Sequence, residues 1–246
     1  MTRDLFIGFG IIAVSLLVLL MIFSPAEKIE TSVSDVQKIQ VQPATSNFVT
    51  VSIPAVDNQG NGVIAKLEVR TTAGEGRVLT NIDNLLFWVD TQYSIKVAEM
   101  VAENMTGADL SNIDLIYTIE SDASVIEGGS AGAALTIATI AVLQNRSLPP
   151  DVMITGTINP DGTIGPVGAI FAKAKASKDV GAKIFLVPEG QGSQVNYIPE
   201  KSCEQIGSIT FCKTEYKAQK LDISKDIGLD VKEVSNIGEA LKYFVA

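Results

Sequence analysis

Residues 125–135 read Val125-Ile126-Glu127-Gly128-Gly129-Ser130-Ala131-Gly132-Ala133-Ala134-Leu135, and the rest of the chain is best read outward from them. Glycines 128 and 129 allow a sharp turn, and the apolar run behind them predicts a helix from Ser130 to about Leu143. Alternation over 113–119 predicts a strand just before, so the stretch is a strand-to-helix turn with a serine at its corner. A hydroxyl there sits beside the free N–H groups and positive dipole end of the helix, which favour negative charge developing next to it. Serine at a helix start is also an ordinary N-cap, and this segment alone does not separate the two roles.

Upstream, 48–54 alternate as a strand, 62–70 as a second, and 57–62 between them carry turn residues, which predicts an opening hairpin. A short strand is expected at 77–80. Ile95, Ala98, Val101 and Ala102 follow helical spacing within 91–105, a helix ended by Gly107. Downstream, the pattern predicts a strand over 152–158, a turn through Asn159-Pro160-Asp161-Gly162, a helix over 169–179 and a strand over 183–187. A strand near Val231 and a helix over 236–244 close the chain. Interleaved helices and strands predict an α+β (mixed α/β) domain over 48–246, without internal repeats or low-complexity tracts.

Composition narrows the chemistry. The 246 residues include no His and two Cys, and carry a net charge of −9. Without imidazole there is no Ser-His-Asp or Cys-His catalysis, so a hydrolytic site must use Lys, Asp, Glu or a thiol as base. No metal site or cofactor is expected. The acidic balance argues against nucleic-acid binding, which needs a basic face. No G-x-x-x-x-G-K-[ST] loop occurs, and the length suits one domain without a nucleotide-driven motor.

Residues 5–23, LFIGFGIIAVSLLVLLMIF, are uncharged and long enough as a helix to span roughly 28 Å, the thickness of a bilayer core. The alternative is a cleaved signal peptide, with small residues at Ser24-Pro25-Ala26, but the run exceeds the usual signal core. Arg3 and the α-amine before the span, with Glu27, Lys28 and Glu30 after it, predict an N-terminus in the cytoplasm and the rest outside. Polar residues 24–47 read as a tether. Cys203 and Cys212 bracket a loop around Gly207 that can fold back as a hairpin. They read equally as a disulfide of an oxidising compartment or as two half-buried thiols. Asn104-Met105-Thr106 and Asn145-Arg146-Ser147 match the weak glycosylation triplet.

If Ser130 is a nucleophile, its base must be a lysine desolvated enough to lose its proton near neutral pH. Lys173 shares a helix face with Ala169, Ile170 and Ala176, whereas Lys175 points elsewhere. The bland alternative is an exposed helical lysine.

Taken together, Gly128-Gly129-Ser130-Ala131-Gly132, Ile154-Thr155-Gly156-Thr157-Ile158, Pro160 to Gly168 (PDGTIGPVG), Lys173 and Gly181 to Pro188 (GAKIFLVP) resemble, in order and interval, the proteolytic domain of Lon proteases (peptidase family S16), most closely its archaeal branch. Gly76-Arg77-Val78 and Asp90-Thr91-Gln92-Tyr93 extend the likeness, which runs from about residue 48 to the C-terminus. The resemblance implies the fold of the second domain of ribosomal protein S5 and a serine endopeptidase with a Ser-Lys dyad. Carried over residue by residue, it makes Ser130 the nucleophile, Lys173 the general base and Thr155 the hydroxyl that helps hold the lysine. Glu127 matches an acidic residue of the archaeal branch. The chain departs from that branch at Gly129, where aspartate is common, and at Gly132, where a second serine is.

The resemblance further implies polypeptide substrates and a homo-oligomeric ring, a hexamer. Without the family's ATPase module, cleavage of unfolded, flexible or small polypeptides independent of ATP is expected. Two rivals stand beside this reading. One is a non-catalytic, membrane-anchored peptide-binding domain. The other is a proteolytic subunit serving a separate cytoplasmic ATPase.

Overall fold

The computed structural model describes residues 47–81, 89–121 and 129–244. The apolar run at 5–23, the tether up to residue 46 and Glu127 lie outside them, and among the described residues no helix is long and apolar enough to cross a membrane.

Strands β1 (Phe48–Val56) and β2 (Gly62–Ala73) form the opening hairpin, in the antiparallel register Val56↔Gly62 to Phe48↔Arg70. With β3 (Val78–Asn81) and β4 (Ile113–Glu120) they make a four-stranded sheet of order β1-β2-β4-β3, in which β3 runs parallel to β4. Alternation along β1 and β2 puts Val49, Val51, Ile53, Ala65, Leu67 and Val69 on the buried face, as a half-solvated antiparallel sheet requires. The Gly76-Arg77-Val78 segment belongs to the connection into β3. There, buried Asp114 accepts the Glu75 and Arg77 N–H groups and a two-pronged guanidinium from Arg77. That guanidinium and the two amides lower the Asp114 carboxyl to a pKa of about 2.

Helix α1 (Val89–Thr106) packs on α2 (Gly132–Leu143), and α2 packs on β1 and β2. From Gly132 to Val142 α2 is buried on every side, which explains why its sequence is apolar without a polar stripe. A second sheet, β11-β8-β5, is wholly parallel and comprises β5 (Val152–Ile154), β8 (Ile184–Pro188) and β11 (Asp230–Val234). Around it lie helices α3 (Ile170–Asp179) and α4 (Ile223–Ile227), with Met153, Ile170, Ala174, Phe185, Val187 and Ile223 in a second apolar core. Helix α5 (Ile237–Phe244) closes the chain against α2. The architecture is mixed α/β.

Three expectations are corrected. The strand expected over 152–158 is two: β5 stops at Ile154, and β6 (Thr157–Ile158) pairs with β7 (Ile164–Gly165), which the sequence pattern did not reveal. Between them Thr155 N–H donates to Leu186 O, while Gly156 donates to Ser130 O and accepts from Ala133 N–H, so other elements claim this backbone. The helix expected to begin at Ser130 begins at Gly132, behind a 3-10 turn over Gly129–Ala131. The short hairpin around Gly207 is a long arm of β9 (Ser193–Ile206) and β10 (Ile209–Asp222). The structure joins Cys203 and Cys212, directly opposed in it, by a disulfide. From 197 to 220 both faces of the arm are exposed, so no apolar alternation marked its length.

Helix α3 lies backbone to backbone on the start of β2. A Cβ on Gly62 would stand 2.1 Å from the Ala172 carbonyl oxygen. Gly62→Ala is therefore expected to destabilise the domain by about 1–3 kcal/mol, as overpacking does, in denaturant titration. An unchanged midpoint would contradict this packing.

Candidate active site

The site is assembled where the turn over Gly129–Ala131, the bend between β5 and β6, and helix α3 meet. Ser130 is half-buried at the 3-10 turn. It does not cap α2: the N-cap position is Ala131, with no side-chain bond, so the ordinary capping role is not the one this serine plays. The described residues give Ser130 Oγ no hydrogen-bond partner. It borders a small apolar recess shared with Ile53, Pro54, Ala55, Thr91 and Ile119. A larger cavity, about 670 Å³, covers the outer face of the first sheet, lined by Thr50, Ser52, Lys66, Thr118 and Glu120, and Ser130 is not among its walls.

Lys173 sits on the inner face of α3 between Ile170 and Ala174 and is only 2% exposed. Ala169, in the left-handed region, starts the helix, and Lys173 N–H donates to its carbonyl. Burial disfavours the ammonium and lowers its pKa from 10.5 to about 8. Its Nζ donates to Thr155 Oγ1 at 3.3 Å, and that hydroxyl donates on to Ser130 O at 3.3 Å. Thr155 therefore bridges the two residues. No buried side-chain nitrogen or oxygen is left unpartnered among the described residues.

The structure brings Ser130, Thr155, Lys173 and Gly129 together, while Glu127 lies outside the described residues. At Gly132 a Cβ would meet Ile158 Cγ2 at 2.6 Å and Ile158 N at 2.8 Å, so a serine there requires β6 to shift. At Gly129 the nearest atom to a Cβ is Ser94 Oγ, at 3.2 Å, a tight but movable neighbour. Ser94 was not singled out from the sequence. Its hydroxyl donates to Asp90 O and stands 3.5 Å from Gly129 O, tying α1 to the serine turn. Gln191 was missed likewise: it accepts from Val167 N–H and donates to Val167 O, fastening the loop ahead of α3. Neither residue has a sequence signal, because each acts on backbone far along the chain. Among the described residues no group of His, Cys, Asp or Glu is placed to hold a metal.

The profile of the Lon protease (S16) C-terminal proteolytic domain matches residues 59–221. The archaeal Lon protease of Thermoplasma acidophilum is 26% identical over 132 residues, covering 50% of this chain and 20% of that protein. The Lon protease of Phenylobacterium zucineum is 29% identical over 144 residues, covering 57% and 18%. The archaeal Lon protease of Thermococcus kodakarensis is 25% identical over 152 residues, covering 61% and 23%. The chain thus spans about a fifth of the length of these relatives.

Burial of Lys173 has a consequence for stability. The unfolded chain holds this proton up to about pH 10.5, whereas the folded chain releases it near 8, so its contribution to stability grows as pH rises between those values. Stability of the wild type relative to Lys173→Met is expected to increase from pH 8 to pH 10 in thermal melts. A constant difference would mean that the amine is solvated.

Proposed function

The chain belongs to the Lon protease (S16) proteolytic-domain family, a serine endopeptidase family, and from that premise we propose that it is a peptidase whose nucleophile is Ser130 and whose general base is Lys173. The observation that carries the assignment is the buried Lys173 with its depressed pKa, linked through Thr155 to the backbone of Ser130. A desolvated amine with a pKa of about 8 is neutral in a useful fraction near physiological pH, which is what a base without histidine needs.

In the proposed reaction the scissile carbonyl approaches Ser130 at the turn over Gly129–Ala131. Ser130 Oγ turns toward Lys173 Nζ, gives up its proton and attacks the carbonyl carbon. Thr155 Oγ1 accepts a hydrogen bond from Nζ and so keeps the amine oriented with its lone pair free. Ala133 N–H is already engaged by Gly156 O, so the oxyanion donors are the earlier amides of the turn. The ammonium returns its proton to the leaving amine, and water activated by the same lysine releases the acyl-enzyme. Substrates are unfolded or flexible polypeptides, cleaved without ATP.

The same proposal places the protein at a membrane, with 5–23 as anchor, 24–47 as tether, the N-terminus in the cytoplasm and the peptidase outside. The Cys203–Cys212 disulfide supports an oxidising compartment. A ring of identical chains completes it.

Incubation of the protein with casein in the absence of ATP tests the reading. Wild type is expected to cleave, Ser130→Ala to show no detectable cleavage, and Lys173→Ala to lose about 10²–10⁴-fold. Cleavage that survives Ser130→Ala overturns the nucleophile. For wild type, kcat/KM is expected to rise with pH through about 8, as the Lys173 ammonium gives up its proton. A rate flat from pH 6 to 9 would remove Lys173 from the role of base.

A further inference from the structure

The β9–β10 arm is a two-stranded ribbon with solvent on both sides, a form that is marginal in water by itself. Directly opposed residues share a face. Tyr197 with Ala218 and Pro199 with Tyr216 therefore make an apolar centre on one face, with Val195 beside it. Tyr197 and Tyr216 are 66% and 69% exposed. Two lysines bound this centre diagonally: Lys220 on β10 toward the base and Lys201 on β9 toward the tip, about 20 Å apart along the ribbon. Neither has an ion-pair partner among the described residues. On the opposite face Lys213 and Lys217 are already paired with Glu215 and Glu200.

Helix α1 carries the complementary pattern. Val89, Tyr93 and Met100 fall on one stripe of the helix, turned away from α2, and Val89 and Tyr93 are 78% and 60% exposed. Asp90 and Glu103 flank this stripe on opposite sides and at opposite ends, again about 20 Å apart at 1.5 Å per residue. Neither has an ion-pair partner among the described residues, and the one lysine within the stripe, Lys96, is held by Glu99.

We propose that the β9–β10 arm of one copy lies across the outer face of α1 of a second copy, with Tyr197 and Tyr216 on the Val89–Tyr93–Met100 stripe and Lys201 and Lys220 against Asp90 and Glu103. The partner is another molecule of this chain, because both surfaces stand exposed on the single molecule. Such a contact joins two different patches and is therefore heterologous, the type from which rings are built where the rotation closes, and the inference rests on the ring assembly proposed above. It also touches both halves of the site. The inner side of α1 places Ser94 against the serine turn, and Gln191, just before the arm, grips the loop ahead of Lys173.

The test is the mass in solution of the purified full-length protein, by light scattering, for wild type, Lys201→Glu/Lys220→Glu, Asp90→Lys/Glu103→Lys and the fourfold combination. Wild type is expected to assemble, each double variant to fall toward the single-chain mass of 26.1 kDa, and the fourfold variant to reassemble because its charges are exchanged. A monomeric wild type, a double variant that stays assembled, or a fourfold variant that stays apart overturns the proposal. Casein cleavage measured in parallel keeps the two readings distinct. A failed arm contact leaves Ser130-dependent cleavage in the wild type, whereas a failed peptidase reading leaves none, whatever the mass.

Discussion

The structure depends on an exchange of backbone hydrogen bonds around Gly156. Its N–H goes to Ser130 O, its carbonyl takes the N–H of Ala133, and the neighbouring Thr155 N–H goes to Leu186 O. Three peptide groups thereby tie the parallel sheet to the start of the buried helix α2. A side chain at 156 would put its Cβ 2.4 Å from Ile164 Cγ2, so only glycine lets β7 close over this junction. With the junction in place, Thr155 is held between the serine turn and helix α3, and its hydroxyl bridges them.

The position of Lys173 follows from the same arrangement. Helix α3 is pressed onto β2 and the parallel sheet by Ile170 and Ala174, so the lysine between them has nowhere to go but inward. Removing a charge from water is costly, and among the described residues that cost is met by one hydrogen bond, from Nζ to Thr155 Oγ1, and a lowered pKa. The absence of histidine from the sequence and the burial of this lysine both favour the amine as the proposed base.

Much of this was legible beforehand. The opening hairpin, helix α1, strand β4 and the closing helix each carry an apolar period that matches their burial, and their bounds differ from expectation by only a few residues. Lys173 was legible because a lysine among Ala169, Ile170, Ala174 and Ala176 breaks an apolar helix face. Ser94 and Gln191 were not, since each works through backbone atoms of a segment remote in sequence. The length of the arm was hidden as well, because a ribbon wet on both faces has no hydrophobic period.

The sequence by itself determined the composition of the site: a serine at a glycine-rich turn, a lysine on an apolar helix, a threonine in a strand, and no imidazole. It also determined the family, whose profile spans the region that holds all three residues. Only the tertiary structure decided that the 152–158 run breaks in two, that Ser130 leaves the capping of α2 to others, and that Thr155 stands between lysine and serine. The physical reason is that these outcomes turn on which distant carbonyl receives each peptide N–H. That choice is made by packing among elements and leaves no periodic trace in the residues themselves.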